Sequence, residues 1–265
     1  MVSKLKRFRS KSLKKAKIYS ANLYTSGLNI GSGKKWLHWF WRGLDQLDGD
    51  YINKNTVLPY NDNVINFIYS SHFIEHVSDE VAHNIFGEAN RILKKGGVFR
   101  IITPDFKKIQ LAIINQDKSL FDSIGWRGRD EWIDQGISFT IENLALHWFS
   151  NYQNCSYLDS ETNNRPKDFY RGPPKLNKEN VYKMANKLST LDFGSWVISH
   201  IPKEYISNGG HISTWTHEKF SKIFEKYGFI SKPKTFANSS SKAMAKFDKR
   251  HGRKEISIYH EGIKI

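Results

Sequence analysis

The residues best suited to chemistry are Gly31 and Gly33, which end a short apolar run, and Asp45, which follows a short distance later. Residues 26–30 have the composition of a short buried strand, and glycines directly after it let the backbone turn tightly and approach a ligand. A helix expected to begin near Lys34 would direct its free N–H groups and positive end at the turn. This order of features predicts a site for a nucleotide-like cofactor.

Three kinds of nucleotide site use such a turn, and the spacing separates them. A Walker A loop needs glycine at Leu28 and serine or threonine at Lys35, so the sequence lacks it at both ends. The dinucleotide fingerprint needs a third glycine at Trp36, so NAD and FAD are weakly supported. The third kind is the methyltransferase site for S-adenosylmethionine (SAM), with a looser glycine turn and an acid ending the second strand. Asp45 after Gly43 suits that role, although an ordinary glycine turn remains the alternative.

The next segments predict a strand, a helix and a second strand. Residues 64–69 form a β-rich apolar run, and residues 79–93 place apolar side chains on one helical face. Basic residues and glycines at 94–97 end that helix, as its dipole favours. Residues 98–103 form another apolar run, which Pro104 stops. The spacing therefore predicts a βαβ unit with a parallel sheet.

Five motifs together make the chain similar to class I SAM-dependent methyltransferases. These motifs are Asn29-Ile30-Gly31-Ser32-Gly33, Trp41-Arg42-Gly43-Leu44-Asp45, Leu58-Pro59-Tyr60, Ile74-Glu75-His76-Val77 and Arg91-Ile92-Leu93-Lys94-Lys95-Gly96-Gly97. Within that superfamily the chain most resembles methyltransferases often encoded among polysaccharide and cell-surface glycan genes. Segments that carry this second resemblance are residues 211–215, 227–229, 247–250 and 257–259. The resemblance covers roughly residues 28–105 and 209–260.

The resemblance implies SAM as the cofactor and a set of residues that bind it. These are Asn29, Ile30, Gly31, Ser32, Gly33, Asp45, Asn53, Asn55, Leu58, Ser70, His72 and His76. Asn29 stands where the family often has an acid for the methionine amino group, and Asn53 and Asn55 stand where an acid often binds the adenine amino group. A neutral amide makes a weaker contact than a carboxylate, so we expect a modest affinity for SAM.

Methyl transfer requires mainly that the acceptor be held in line with the methyl group, and a general base helps when the acceptor is a hydroxyl. His72 follows the expected fourth strand and is the first candidate base, with His211 as the second. Glu75 and His76 also follow that strand, but their motif often serves structure or cofactor packing. Asp105 lies at a strand end without a second acid nearby and could equally cap a helix. We therefore expect no metal site.

The expected fold is α/β and Rossmann-like, with a seven-stranded, mostly parallel sheet flanked by helices. Residues 231–236 and 255–260 are expected to form its final antiparallel pair. Residues 106–207, after the fifth expected strand, are too long for a loop and predict a helical insertion that covers the active site and selects the acceptor. The chain thus divides into a basic leader, residues 1–20, and a single methyltransferase domain, residues 21–265.

Composition agrees with one folded unit in a reducing compartment. The chain has 265 residues, of which 39% are hydrophobic, enough to bury a sizeable core. The single cysteine, Cys155, excludes an intrachain disulfide and a cysteine-built zinc site. No apolar stretch approaches the ~20 residues needed to span a bilayer, and no signal peptide is evident. A cytoplasmic location is expected.

Positive charge is concentrated at the start of the chain. The formal net charge is +15, and no acidic residue precedes Asp45. Such a leader could bind nucleic acid or hold the protein at the inner face of an anionic membrane. A solvated basic tail is an equally supported alternative.

The sequence favours a SAM-dependent methyltransferase that O-methylates a glycan, another cell-surface precursor or a small-molecule acceptor. The second hypothesis is a nucleic-acid methyltransferase, which the basic charge favours. Against it, residues 70–73 read Ser-Ser-His-Phe instead of the Asp/Asn-Pro-Pro-Tyr motif of base-flipping enzymes. The third hypothesis is a binding protein that keeps the fold and has lost the transfer activity.

Overall fold

The computed structural model describes most of the sheet and its covering helices. The described residues are 26–33, 36, 40–45, 52–124, 140–150, 176, 178–200, 210–248 and 253–265. The predicted basic leader, the start of the helix expected at Lys34 and much of the predicted insertion lie outside them. None of the described helices is both long and apolar enough to cross a membrane.

The described strands form one sheet in the order β2-β1-β3-β4-β6-β5. They are β1 (Gly27–Ile30), β2 (Trp41–Leu44), β3 (Ile65–Ser71), β4 (Leu93–Pro104), β5 (Phe229–Lys234) and β6 (Ser257–Lys264). The first four are parallel, and β6 pairs antiparallel with both β4 and β5. The predicted mostly parallel α/β sheet with a final antiparallel pair is confirmed. Six strands, rather than the expected seven, are present among the described residues.

Helices cover the sheet and account for most of the rest of the described chain. They are α1 (Asp79–Ile92), α2 (Phe106–Asn115), α3 (Ser119–Ile124), α4 (Ile141–Ser150), α5 (Lys178–Lys187), α6 (Thr190–Ser199), α7 (His217–Lys226) and α8 (Lys242–Asp248). Helices α2 to α6 lie within residues 106–207, so the described part of that region is largely helical. Its role as a cap over the active site stays a prediction.

Local signals in the sequence explain where several helices begin. Ser78 caps α1, and its hydroxyl accepts the N–H of Val81, while Thr216 caps α7. Asp105 caps α2 by accepting the N–H of Lys108 at 3.0 Å. These side chains satisfy N–H groups that a helix start would otherwise leave without partners.

Strand β4 begins five residues earlier than the apolar run predicted. Leu93 already pairs with Ile65, and the register then shifts before Phe67 pairs with Val98. Gly96, with φ +75°, lies in this irregular stretch. The basic and glycine-rich residues that resemble a helix end therefore form an irregular start of the strand.

A buried ion network ties the last strands to the parallel sheet. Arg100 on β4 is fully buried, and its Nη1 donates to Glu261 Oε1 at 2.7 Å, while its Nε donates to Asp248 Oδ1 at 3.1 Å. The guanidinium also donates to the carbonyls of Thr235 and Asn238, each at 3.1 Å. Arg100 thus joins β4 to β6, to α8 and to the loop after β5.

The buried imidazole of His260 makes the stability of the protein depend on pH. His260 on β6 is fully buried, with Nε2 2.6 Å from Ser231 Oγ and Nδ1 2.9 Å from His217 Nδ1. Burial, helped by His217 and opposed by Glu261, lowers the pKa of His260 from 6.5 to about 3. Below pH 6.5 the unfolded chain therefore binds a proton that the folded chain does not. The contribution of His260 to stability is complete above that pH and is lost as pH falls towards 3.

We expect this residue to lower the free energy of unfolding by about 2 kcal/mol when pH falls from ~6.5 to ~5. Urea unfolding at both pH values measures this change. The variant His260→Asn should show a smaller change with pH than the wild type. His200→Asn, at the end of α6, is the control and should keep the wild-type pH dependence. An equally steep dependence in His260→Asn would mean that another group causes it.

Candidate functional site

The glycine turn lies at the carboxyl ends of β1 and β2. The N–H groups of Gly31 and Ser32 both donate to the carbonyl of Leu44, at 2.9 and 3.2 Å. Gly31 and Gly33 have φ angles of +73° and +69°, which favour glycine. A Cβ on Gly31 would collide with the side chain of Phe73, whereas a Cβ on Gly33 would meet no atom of the described residues within 4 Å. Packing therefore requires the first glycine, and no described residue crowds the second.

Asp45 lies beside this turn, as the sequence predicts. Its Oδ2 accepts a hydrogen bond from the N–H of Gly33 at 2.9 Å. The contact joins the end of β2 to the loop after β1. It places a carboxylate at the edge of the parallel sheet where α/β proteins bind their ligands.

The same edge holds three buried polar atoms with no hydrogen-bond partner among the described residues. They are Asn29 Oδ1 near the end of β1, and Ser70 Oγ and Ser71 Oγ at the end of β3. Ile30, which pairs with Ser70, contributes only its apolar side chain to the core. Leaving a buried polar group unpaired costs about 1–3 kcal/mol, so such groups call for a ligand or an ordered water. The edge therefore suits a ligand with hydrogen-bonding groups.

The loop before β3 makes its own contacts. Asn53 and Asn55 are exposed, and Asn53 Oδ1 accepts the N–H of Asn55 at 2.8 Å. The side chain of Leu58 is buried in the core, and its N–H donates to Glu88 Oε2 at 2.6 Å. The described contacts thus use these residues to build the loop, and their role in binding adenine stays a prediction.

His72 directly follows β3 in a backbone conformation that is uncommon for a residue with a side chain. Its φ is +51°, and its N–H donates to the carbonyl of Ile102 at 2.8 Å. Its Nδ1 lies 3.2 Å from Glu75 Oε1, and its Nε2 lies 3.1 Å from Ser257 Oγ. We assign the proton to Nδ1, because Glu75 Oε1, which can only accept, lies closer to it than Arg253 Nη1, which can only donate and is 3.4 Å away. Nε2 is then left as an acceptor.

Glu75 lies in the 3-10 turn Ile74–His76 and is fully buried. Its Oε2 accepts the hydroxyl of Thr103 at 3.1 Å, and its backbone carbonyl accepts the N–H of Ile212 at 2.8 Å. Burial alone would raise the pKa of Glu75, but its contact with His72 and the neighbouring histidines lower it to about 2. Glu75 is therefore an ionised carboxylate inside the protein.

His211 and His76 lie on the other side of Glu75. His211 Nδ1 lies 2.6 Å from the carbonyl of Trp148, and His76 Nδ1 lies 3.2 Å from the carbonyl of Gly210. Burial lowers the pKa of His211 to about 3, so its imidazole is neutral near pH 7. Its side chain is 5% exposed, against 11% for His72, so His72 is the more accessible of the two candidate bases.

Two residues that contact His72 were not among the site residues predicted from the sequence. Ser257, at the start of β6, contacts Nε2, and Arg253 Nη1 lies 3.4 Å from Nδ1. These residues are 185 and 181 positions away from His72 in the chain. No local pattern in the sequence indicates either contact, because the antiparallel return of β6 creates both.

Part of the chain matches a known protein family. Residues 31–101 match the family model described as "Methyltransferase domain", which spans the glycine turn, Asp45, His72 and most of β4. No curated protein is similar enough to the chain to count as a match.

Several solved structures are similar at low sequence identity. One is a complex between the Haloferax volcanii Trm112 methyltransferase activator and its proposed methyltransferase, with 12% identity, a TM-score of 0.36 and coverage of 96% of this chain and 93% of that one. A second is PKMT2 from Rickettsia typhi with AdoHcy, with 14% identity, a TM-score of 0.36 and coverage of 92% and 48%. A third is geranyl diphosphate C-methyltransferase from Streptomyces coelicolor, with 10% identity, a TM-score of 0.33 and coverage of 97% and 80%.

Proposed function

We propose that this chain, a SAM-dependent methyltransferase by its domain, transfers the methyl group to a hydroxyl of a glycan or another cell-surface precursor. The observation that carries the proposal is the contact between His72 and Glu75 at the carboxyl end of β3, close to the glycine turn. A hydroxyl acceptor must lose a proton during transfer, so a base oriented by a carboxylate favours this class of acceptor.

The residues at the sheet edge fit SAM. Asp45 is placed to accept hydrogen bonds from ribose hydroxyls, and Asn29 Oδ1, buried without a partner, is placed to accept one from the methionine amino group. Ser70 Oγ offers a further unpaired polar atom, and no described residue lies within 4 Å of the position of a Cβ on Gly33. When bound, SAM supplies an electrophilic methyl group on a sulfonium centre.

Residues of the chain then remove the proton of the acceptor hydroxyl. Nε2 of His72 accepts the proton of the acceptor hydroxyl, and the ionised Glu75, 3.2 Å from Nδ1, stabilises the positive charge that forms. The hydroxyl of Ser257, 3.1 Å from Nε2, marks a position from which a hydroxyl can donate to this nitrogen. The catalytic role is thus assigned to His72, and Glu75 is a positioning residue.

Sequence and charge support the acceptor class. The glycan assignment rests on the resemblance of the C-terminal segments to methyltransferases encoded with glycan genes. The formal charge of +15 suits an acceptor with phosphate groups, such as a phosphorylated glycan precursor. The same charge favours RNA or DNA as the second candidate acceptor, and the basic leader, outside the described residues, is proposed to contact an anionic membrane or nucleic acid.

An acceptor assay tests this function. The purified chain and methyl-labelled SAM are incubated with a pool of phosphorylated and lipid-linked glycans, and separately with total RNA. We expect label in the glycan pool, in a linkage that resists mild alkali, as a methyl ether does and an ester does not. Label in RNA alone would overturn the acceptor class. Binding of SAM without transfer to either pool would indicate a protein that keeps the fold without the activity.

Replacing Asp45 with alanine should weaken binding of SAM and S-adenosylhomocysteine by at least about tenfold. A hydrogen bond to a charged group contributes about 1.5–3 kcal/mol, and the variant also frees the N–H of Gly33 in the turn. Titration calorimetry measures both ligands, with NAD as the negative control. The matched control is Asp62→Ala, which removes an exposed acid from the loop before β3 and should bind as the wild type does. Unchanged binding by Asp45→Ala would place the cofactor elsewhere.

A further inference from the structure

Glu75, His76 and His211 bring three potential metal ligands together. One ligand atom from each lies within 4.8 Å of the other two. Glu75 Oε1 is 4.0 Å from His211 Nε2, and the two imidazole centroids are 4.6 Å apart. Glu75 and His211 are buried, and His76 is half-buried. No other group of at least three such residues with this geometry is found in the described part of the chain.

Hydrogen bonding determines which atoms of this cluster carry lone pairs. Because His211 Nδ1 and His76 Nδ1 each face a backbone carbonyl, both nitrogens must carry the proton and donate. Each Nε2 is then unprotonated and carries a lone pair. Glu75 Oε1 is buried and receives no hydrogen bond of good geometry from the described residues, although His72 Nδ1 lies 3.2 Å away. Three electron-pair donors therefore lie close together, an arrangement that a cation between them would stabilise.

We propose that Glu75 Oε1, His76 Nε2 and His211 Nε2 bind a divalent transition metal ion, with Zn²⁺ the ion that best fits this ligand set. Two imidazoles and one carboxylate are typical zinc ligands. Tetrahedral zinc with bonds of ~2.1 Å places its ligand atoms roughly 3.4 Å apart. The distances between the three ligand atoms therefore need to shorten by on the order of 1 Å. Three protein ligands leave one coordination position open.

Outer contacts orient all three ligands, as is usual for metal sites. The carbonyls of Trp148 and Gly210 fix the two imidazoles, and Thr103 Oγ1 donates to Glu75 Oε2 at 3.1 Å. His211 directly follows Gly210, which lies 134 positions after His76 in the chain. A metal here would hold that distant segment against the turn after β3. This separation is why the sequence predicts no metal site.

Metal binding by the full chain tests the proposal directly. Protein stripped with EDTA is titrated with Zn²⁺ by calorimetry, and Co²⁺ is added as a spectroscopic probe. We expect one bound equivalent of Zn²⁺ and intense visible absorption of tetrahedral Co²⁺. The variants His76→Ala and Glu75→Gln should each lower the affinity for Zn²⁺ at least about tenfold. His200→Ala removes a histidine outside the cluster and should bind as the wild type does.

Two results would overturn the proposal: a wild-type protein that binds no Zn²⁺, or His76→Ala binding it with unchanged affinity. Glu75→Gln also disturbs a fully buried contact, so its circular dichroism spectrum is compared with the wild type first. If that variant fails to fold, the Co²⁺ spectrum of the wild type and the half-buried His76→Ala decide the outcome. The readout is binding of the metal alone, so its failure leaves the proposed methyl transfer unaffected.

Discussion

Replacing His72 with alanine should lower kcat for methyl transfer by about 10²–10⁴-fold, the usual contribution of a positioned general base. The physical reason is that Nε2, oriented through the contact of Nδ1 with Glu75, is the atom that accepts the hydroxyl proton. Binding of SAM should change far less, because the proposed contacts with the cofactor come mainly from the glycine turn and Asp45. Steady-state transfer rates at saturating SAM, together with calorimetry of SAM binding, measure the two effects separately.

Ser257→Ala is the matched control for this prediction. It removes the hydroxyl 3.1 Å from Nε2 and leaves the imidazole and Glu75 in place. Its kcat should remain within about tenfold of the wild type, since the base itself is intact. If His72→Ala kept a similar rate, the hydroxyl proton would have to leave by another route and the assignment of the base would be wrong.

Replacing Arg100 with methionine should lower the free energy of unfolding by about 3–5 kcal/mol, the usual cost of breaking a buried ion pair from one side. Arg100, Asp248 and Glu261 are all fully buried. Methionine fills similar space but removes the cation from the buried Asp248 and leaves the buried Glu261 with only Lys234, 3.8 Å away. Urea unfolding monitored by tryptophan fluorescence gives the change.

Arg91→Met provides the comparison for an exposed network. Arg91 also contacts two carboxylates, Glu88 and Asp62, but its side chain is 26% exposed. Its loss should cost about 1–2 kcal/mol, because water screens the remaining charges and two backbone carbonyls lose a donor. The triple variant R100M/D248N/E261Q should recover part of the stability lost in R100M. A loss in R100M no larger than in R91M would show that burial does not make the first network costly to break.

Local patterns were enough to predict the mostly parallel sheet. Apolar runs at β1, β3 and β4, with a helical period between the last two, correctly predict parallel pairing, because both faces of such strands are buried. The glycine turn was also visible, since it depends on residues adjacent in sequence. The early start of β4 was not, because the pairing of Leu93 with Ile65 overrides the signal for a helix end.

The candidate site divides in the same way. Gly31 and Asp45 belong to a spacing that a reader of the sequence can recognise, and the structure brings them to one edge. The contact of His72 with Ser257 and the approach of His211 to Glu75 depend on how the C-terminal segment folds back. Arg100 shows most clearly what the sequence does not predict. The role of a charge within an apolar strand becomes evident only when its partners on α8 and β6 are located in the structure.

The left-handed backbone at His72 means that the residue best for thermal stability at position 72 differs from the residue needed for activity. Glycine adopts a φ near +51° without the steric cost that a side chain incurs, and asparagine tolerates it better than most residues. A library randomised at codon 72 and selected only for survival of heating should therefore enrich glycine and asparagine, and those clones should be poor catalysts. Directed evolution for a thermostable form of this protein would need an activity screen at every round to keep the imidazole.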